Sequence, residues 1–135
     1  MADKIFVDSN IWLYAFMSEK SVKHYKAITI ISNSNVFLNI QVINEVCYNL
    51  LKKSNYNNSE ISELIYNFNK IYTIFNISIP TLLNATSLRQ KYKTSFWDSL
   101  ILASALENNC NILLTEDISG ADFMEKKLKV INPFI

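Results

Sequence analysis

The sequence predicts an α/β protein: a three-layer α/β/α sandwich built on a short, mostly parallel central sheet. Three observations predict it. Short, continuously apolar runs such as "KIFVD" and "NILLT" alternate with longer stretches of helical periodicity. The short runs are apolar on both faces, as strands covered by helices on both sides must be. And 135 residues, half of them apolar, bury enough surface to fold without disulfides or metals, so one domain spanning residues 1–135 is expected.

The elements follow in order. "KIFVD" is a buried strand ending at Asp8, and "SNIWLYAFM" a helix with Asp8 or Ser9 near its N-cap. "SVKHYKAITIIS" is an amphipathic helix and "NVFLNI" a short strand. "QVINEVCYNLLKK" is a helix carrying Glu45, closed by the polar break "SNYNNS". "EISELIYNFNKIYTIF" reads as a longer helix with Leu64, Phe68, Ile71 and Phe75 on one stripe, and "NISI" as a strand stopped by Pro80. "TLLNATSLRQKYK" is a helix with Leu82, Ala85 and Leu88 inward. "FWDSLILASALENN" is a strongly apolar helix on which Asp98 shares a face with Ile101, Leu102 and Ala105. "NILLT" is a buried strand, "EDISGADF" a polar connection with a turn at Gly120, and "LKVINPF" a closing strand.

Composition excludes several chemistries. The formal charge of +1 neither announces a nucleic-acid binder nor forbids a local basic rim. Cys47 and Cys110 form no CxxC pair and lie in apolar surroundings, which predicts buried free thiols and a reducing compartment. The opening residues have neither a long apolar segment nor a small-residue cleavage site, and no apolar run is long enough to cross a bilayer. A cytoplasmic protein without a membrane role is expected. His24 is the only histidine, so zinc sites built on two or three histidines are not available, and it reads as a surface or half-buried residue of its helix. With Gly120 the only glycine, there is no GxGxxG motif and no phosphate-cradling GKS or GKT. Any chemistry falls to carboxylates.

In an open parallel sheet, ligands bind beyond the carboxyl ends of the strands. Asp8 follows the first strand, and Glu116 and Asp117 follow "NILLT". Glu45 and Asp98 lie early in helices whose starts can face the same edge. Carboxylates converging at low dielectric repel, and a divalent cation with all-oxygen ligands, Mg²⁺ or Mn²⁺, is the natural compensation. Each acid also has a plainer role. Asp8 can cap a helix, "SFWD" is an S-x-x-D capping box from Ser95 to Asp98, Glu45 can face solvent, and Asp117 can form a turn. Singly these roles suffice; together they leave unexplained why four acids fall at one predicted edge.

In this order and spacing the motifs resemble the PIN domain family, and more narrowly the VapC-type toxins of bacterial toxin–antitoxin pairs. "IFVDSNIWLYAF" resembles the family's opening strand, "IQVINEV" its second acidic motif, and "FWDSLILASALENNCNILLTEDI" its third and fourth. "LKVINPF" resembles the ending of one subgroup, so the likeness runs from Asp3 to Phe134. The resemblance implies a metal-dependent endoribonuclease in which Asp8, Glu45, Asp98 and Asp117 hold Mg²⁺ or Mn²⁺ and a metal-bound water attacks an RNA phosphodiester. Ser9 and Asn10 would support the first carboxylate or the substrate, with Glu116 as an outer acid. It also implies a homodimer and a cognate antitoxin that plugs the cleft. Two departures stand out: Asn39 and Ile40 replace the hydroxyl residue common before the Glu-bearing helix, and Glu116 precedes Asp117.

RNA would need cations around the acids. Candidates are Lys20, Lys23 and Lys26; Lys52 and Lys53; and Arg89, Lys91 and Lys93, each cluster also readable as a solvated face. Trp12, Tyr14 and Trp97 offer stacking surfaces, although the tryptophans read first as core or dimer-interface residues. Two alternatives remain: an RNA-maturation nuclease of the same fold, and a non-catalytic receiver-like or protein-interaction module. A receiver would want more acids at the first strand end and a lysine after a late strand, where Glu116 stands instead.

Overall fold

The computed structural model describes residues 2–17, 19–118 and 123–135; the turn expected at Gly120 lies outside them. Strand β1 (Ile5–Val7) leads into helices α1 (Ser9–Phe16) and α2 (Val22–Asn33). Then come β2 (Val36–Asn39), α3 (Ile40–Lys53), α4 (Asn58–Ile71) and β3 (Thr73–Phe75). The second half holds α5 (Ile79–Tyr92), α6 (Phe96–Glu107), β4 (Ile112–Leu114), β5 (Phe123–Met124) and β6 (Leu128–Ile131).

The strands form one sheet in the order β3-β2-β1-β4-β6-β5, parallel except for β5, which runs against β6. Parallel strands need right-handed crossovers. These place α1 to α4 over one face and α5 with α6 over the other, in keeping with the packing of α1 on α2 and α3, α3 on α4, and α5 on α6. Between the layers, Phe6, Val7, Leu38 and Leu113 are completely buried. Trp12 closes one side of the core, edge-on to Phe68 and Tyr72 with ring centroids 5.0 and 5.1 Å away. Cys47 and Cys110 are buried free thiols, as expected, and burial pushes the Cys110 thiol up to about 11.

Three expectations need correction. The helix read through Phe75 ends at Ile71, and residues 73–75 form β3. The β-branched Thr73 and Ile74, followed by Phe75, favour a strand, and they gain a ladder with Phe37, Leu38 and Asn39 of β2. Of the expected stripe, Phe68 is buried but Ile71 is 65% exposed. Nor does "NISI" form a strand. Ser78 and Thr81 make a reciprocal capping box and Pro80 sits in the first turn, so the segment becomes the start of α5. His24, read as surface or half-buried, is buried: it shares with Ala27 the face of α2 that packs on α1, and its Nδ1 lies 2.8 Å from the Tyr14 carbonyl oxygen.

Helix α6 also departs from a one-sided reading. Every residue from Ser99 to Ala105 is buried, because α5 covers the side turned away from the sheet. It is a rod enclosed along its middle, with its first turn and Glu107 at its end emerging.

Candidate active site

Strands β1 and β4 are neighbours, but the chain leaves them in opposite directions across the sheet, toward β2 and toward β6. That is a topological switch point, where strand ends leave a crevice open. Val7 pairs with Leu114 and the Asp8 N–H donates to the Leu114 carbonyl at 3.0 Å, so Asp8 and Thr115 emerge together just past the strand ends.

Asp8 is only 4% exposed. Its carboxylate accepts from the Ser9 N–H and from the Thr115 hydroxyl, each at 2.7 Å. Burial nevertheless pushes its carboxyl up to about 7, with the charges of Glu45 and Asp98 adding to the shift. Glu45, in the second turn of α3, is raised first by burial and then by Asp98 and Asp117, while hydrogen bonds from Ser9 and Gln41 oppose the rise. Asp98, in the first turn of α6, is raised by burial and by Asp117, against a lowering by Ser95. Asp117 accepts from the Asn10 side-chain amide at 2.9 Å. Four acids from two strand ends and two helix starts thus share one cleft and feel one another's charge.

The plainer roles are filled only in part. Asp8 does cap α1. Ser95 accepts the Asp98 N–H at 3.1 Å, but the reciprocal arm of a capping box, formed fully at α4 and α5, is missing from α6. The Asp98 carboxylate is therefore not spent on the cap. Glu45 is half-buried against the other acids rather than facing open solvent. Asn39 caps α3 by accepting the Val42 N–H at 2.9 Å.

Glu116 and Asp117 part company. The Glu116 carboxylate accepts from the Tyr14 hydroxyl at 2.6 Å and pairs with Lys23. Asn10 spans the two, donating to Asp117 and accepting the Glu116 N–H at 3.3 Å. The side chain that sequence reasoning missed is Thr115. Its hydroxyl donates to Asp8 and accepts the Asp117 N–H at 3.2 Å, tying two acidic motifs together. The signal was there: a hydroxyl residue ending an otherwise apolar strand, directly before two acids. Thr115→Val keeps the shape but strands a buried carboxylate oxygen and an N–H. It is expected to cost about 1–3 kcal/mol of stability, read as a lower Tm.

Among the described residues, no three His, Cys, Asp or Glu side chains are already drawn together at metal-ligand spacing. The donor set still fits a hard divalent cation. It is all carboxylate oxygen, three of its members are held toward the protonated form by burial and mutual repulsion, and the nearby Lys23 is committed to Glu116.

A parallel α/β/α sandwich with an acidic cleft at its switch point defines a class of site suited to a hard metal ion and an anionic ligand. The chain belongs to the PIN domain family, whose model matches residues 5–123. Solved structures share the fold at low sequence identity. A toxin–antitoxin complex from Klebsiella pneumoniae is 21% identical, with a TM-score of 0.73 over 96% of this chain and 97% of that one. VapC20 of Mycobacterium tuberculosis, a toxin that cleaves the sarcin-ricin loop, is 14% identical, with a TM-score of 0.68 over 81% of this chain and 86% of that one. VapBC2 of Rickettsia felis, bound to a promoter DNA fragment, is 17% identical, with a TM-score of 0.63 over 96% of this chain and 99% of that one. No curated protein matches the chain by sequence. Among the described residues, no helix is long and apolar enough to cross a membrane.

Proposed function

We propose that this chain is the toxin of a toxin–antitoxin pair and acts as a Mg²⁺- or Mn²⁺-dependent endoribonuclease in the cytoplasm, working as a homodimer and silenced by a cognate antitoxin. The observation that carries this reading is the convergence of Asp8, Glu45, Asp98 and Asp117, in the order of a PIN domain, on one cleft at the sheet's switch point. The toxin–antitoxin proteins that share the fold favour a toxin over a maturation nuclease, and the family match weighs against a receiver-like module.

In this reading the four carboxylates hold the metal. A bound divalent ion acidifies a water and offsets the charge that builds on the phosphate. Ser9 and Thr115 fix the Asp8 carboxylate, Ser9 also steadies Glu45, and Asn10 holds Asp117. Glu116, kept by Tyr14 and Lys23, buttresses the loop rather than the metal. The direct test is incubation of the purified chain with RNA in EDTA, Mg²⁺ or Mn²⁺. Cleavage only with a metal is expected. No cleavage with either ion, together with no metal-induced rise in Tm, would overturn the reading.

The structure sorts the candidate cations. Lys23 is paired with Glu116, Lys91 with Glu125 at 2.7 Å, and Lys52 lies over the Tyr48 ring. Arg89 and Lys93, with no ion pair among the described residues, line a polar groove of about 440 Å³ with Thr86, Gln90 and Thr94. Because α5 leads directly into α6, this groove adjoins the turn that carries Asp98. Lys93 holds the left-handed C-cap of α5, with φ 59°, where glycine is the easier residue. Lys93→Gly is therefore expected to keep or slightly raise the Tm while weakening RNA binding. Arg89→Ala should weaken it similarly, each lowering the log–log salt slope of binding by about one.

A further inference from the structure

We propose that a trough beside Glu45 is a nucleobase slot, in which Trp97 and Tyr48 stack on one base of single-stranded RNA and Asn44 reads its edge. The inference rests on the endoribonuclease reading and specifies the part of the substrate that reading leaves open. The trough, about 530 Å³, is lined by Gln41, Asn44, Glu45, Tyr48, Asn49 and Trp97. Helix α3 supplies one wall. The other is Trp97, in the first turn of α6 and one residue before Asp98. A base held there lies alongside the acids that face the backbone to be cut.

The two tryptophans have opposite environments. Trp12 is 1% exposed and donates its Nε1–H to the Val7 carbonyl at 3.1 Å. Trp97 is 57% exposed, makes no side-chain hydrogen bond among the described residues, and is propped edge-on by Phe96 with centroids 5.3 Å apart. Tyr48 is 62% exposed, with Lys52 over its ring at 5.7 Å, which keeps a positive charge at the rim for an RNA phosphate. Tyr14, the third stacking candidate, is occupied by Glu116, Lys23 and the edge of Phe134.

The amides of the trough are also sorted. Gln41 donates to the Glu45 carboxylate and Asn49 to the Glu45 carbonyl. The Asn44 side chain has no intrachain hydrogen bond among the described residues, so its paired donor and acceptor are available to a base edge. A dry, apolar protein face fits less well. The centre of a protein interface is dry and depleted of charge, and here it would enclose Glu45. Exposed aromatic planes and a free amide lining one trough suit an unpaired base.

The test uses tryptophan fluorescence in Asp98→Asn protein with Mg²⁺, titrated with a ten-nucleotide mixed-sequence single-stranded RNA and with its duplex. The single strand is expected to quench the exposed tryptophan and the duplex not to. Trp97→Ala should weaken RNA binding about 5- to 100-fold and Trp97→Phe restore most of it. In active protein, Trp97→Ala should raise KM far more than it lowers kcat, and Asn44→Ala should alter the base preference at the cut. Unchanged affinity in Trp97→Ala overturns the slot, as does a loss that tracks a fall in dimer mass by light scattering. A chain that binds RNA through Trp97 but cuts none overturns the nuclease reading and keeps the slot. One that cuts equally well with Trp97→Ala does the reverse.

Discussion

Asp98→Asn is expected to abolish metal-dependent RNA cleavage, by about a thousandfold or more, with the fold intact. The substitution keeps the side chain's shape. The Ser95 hydroxyl still accepts the backbone N–H of residue 98, so the start of α6 is preserved. What disappears is one anionic ligand. Stabilising charge at a phosphate through a metal is worth several kcal/mol, and each 1.4 kcal/mol is tenfold in rate. Removing that carboxylate also relieves its burial and its repulsion by Asp117, so the metal-free Tm should hold or rise slightly. A purely capping role for Asp98 makes the opposite forecast: a small fall in Tm with cleavage retained. Parallel assays of cleavage in Mn²⁺ and of melting in EDTA separate the two.

Asp8→Asn should make the metal-free protein more stable at neutral pH while destroying activity. In the folded chain burial, reinforced by Glu45 and Asp98, lifts the Asp8 carboxyl from 3.8 to about 7. A carboxyl raised on folding binds its proton more tightly in the native state. Its contribution is fully present below about pH 4 and is lost as pH rises through about 7. At the upper end the cost approaches about 4 kcal/mol at most, and Asn removes it. Melting in EDTA from pH 4 to 8 should therefore show wild-type stability falling across that window and a flatter profile for Asp8→Asn. Added Mn²⁺ should raise the wild-type Tm most at the alkaline end. A flat wild-type profile in EDTA would contradict this account of Asp8.

The architecture and the placing of the four acids at one sheet edge could be read from the chain because each depended on a local signal. Continuous apolar runs marked the strands, and the acids stood directly beyond them or at helix starts. What escaped depended on partners distant in sequence. Residues 73–75 look like the end of a helix until β2 offers them a ladder. The complete burial of α6 follows from α5 packing across it, which no periodicity within α6 announces. His24 is turned inward by α1. Within the cleft, the division of labour between Glu116 and Asp117 is set by Tyr14, Lys23 and Asn10, about a hundred residues upstream and invisible in a tetrapeptide. Thr115 joins two motifs through a single hydroxyl and carries no pattern of its own.

The parallel pairing of β1 with β4 has a consequence for the order in which the cleft forms. The strand that seats Asp8 beside Thr115 and Asp117 is synthesised more than a hundred residues after Asp8 itself. Of the four cleft acids, a nascent chain ending before α6 carries only Asp8 and Glu45, with Val7 still lacking its neighbour Leu114. Contacts so far apart in sequence close late and slowly. Synthesis itself thus imposes a delay: the four-acid cleft is assembled only after β4 has been made, long after its first carboxylate.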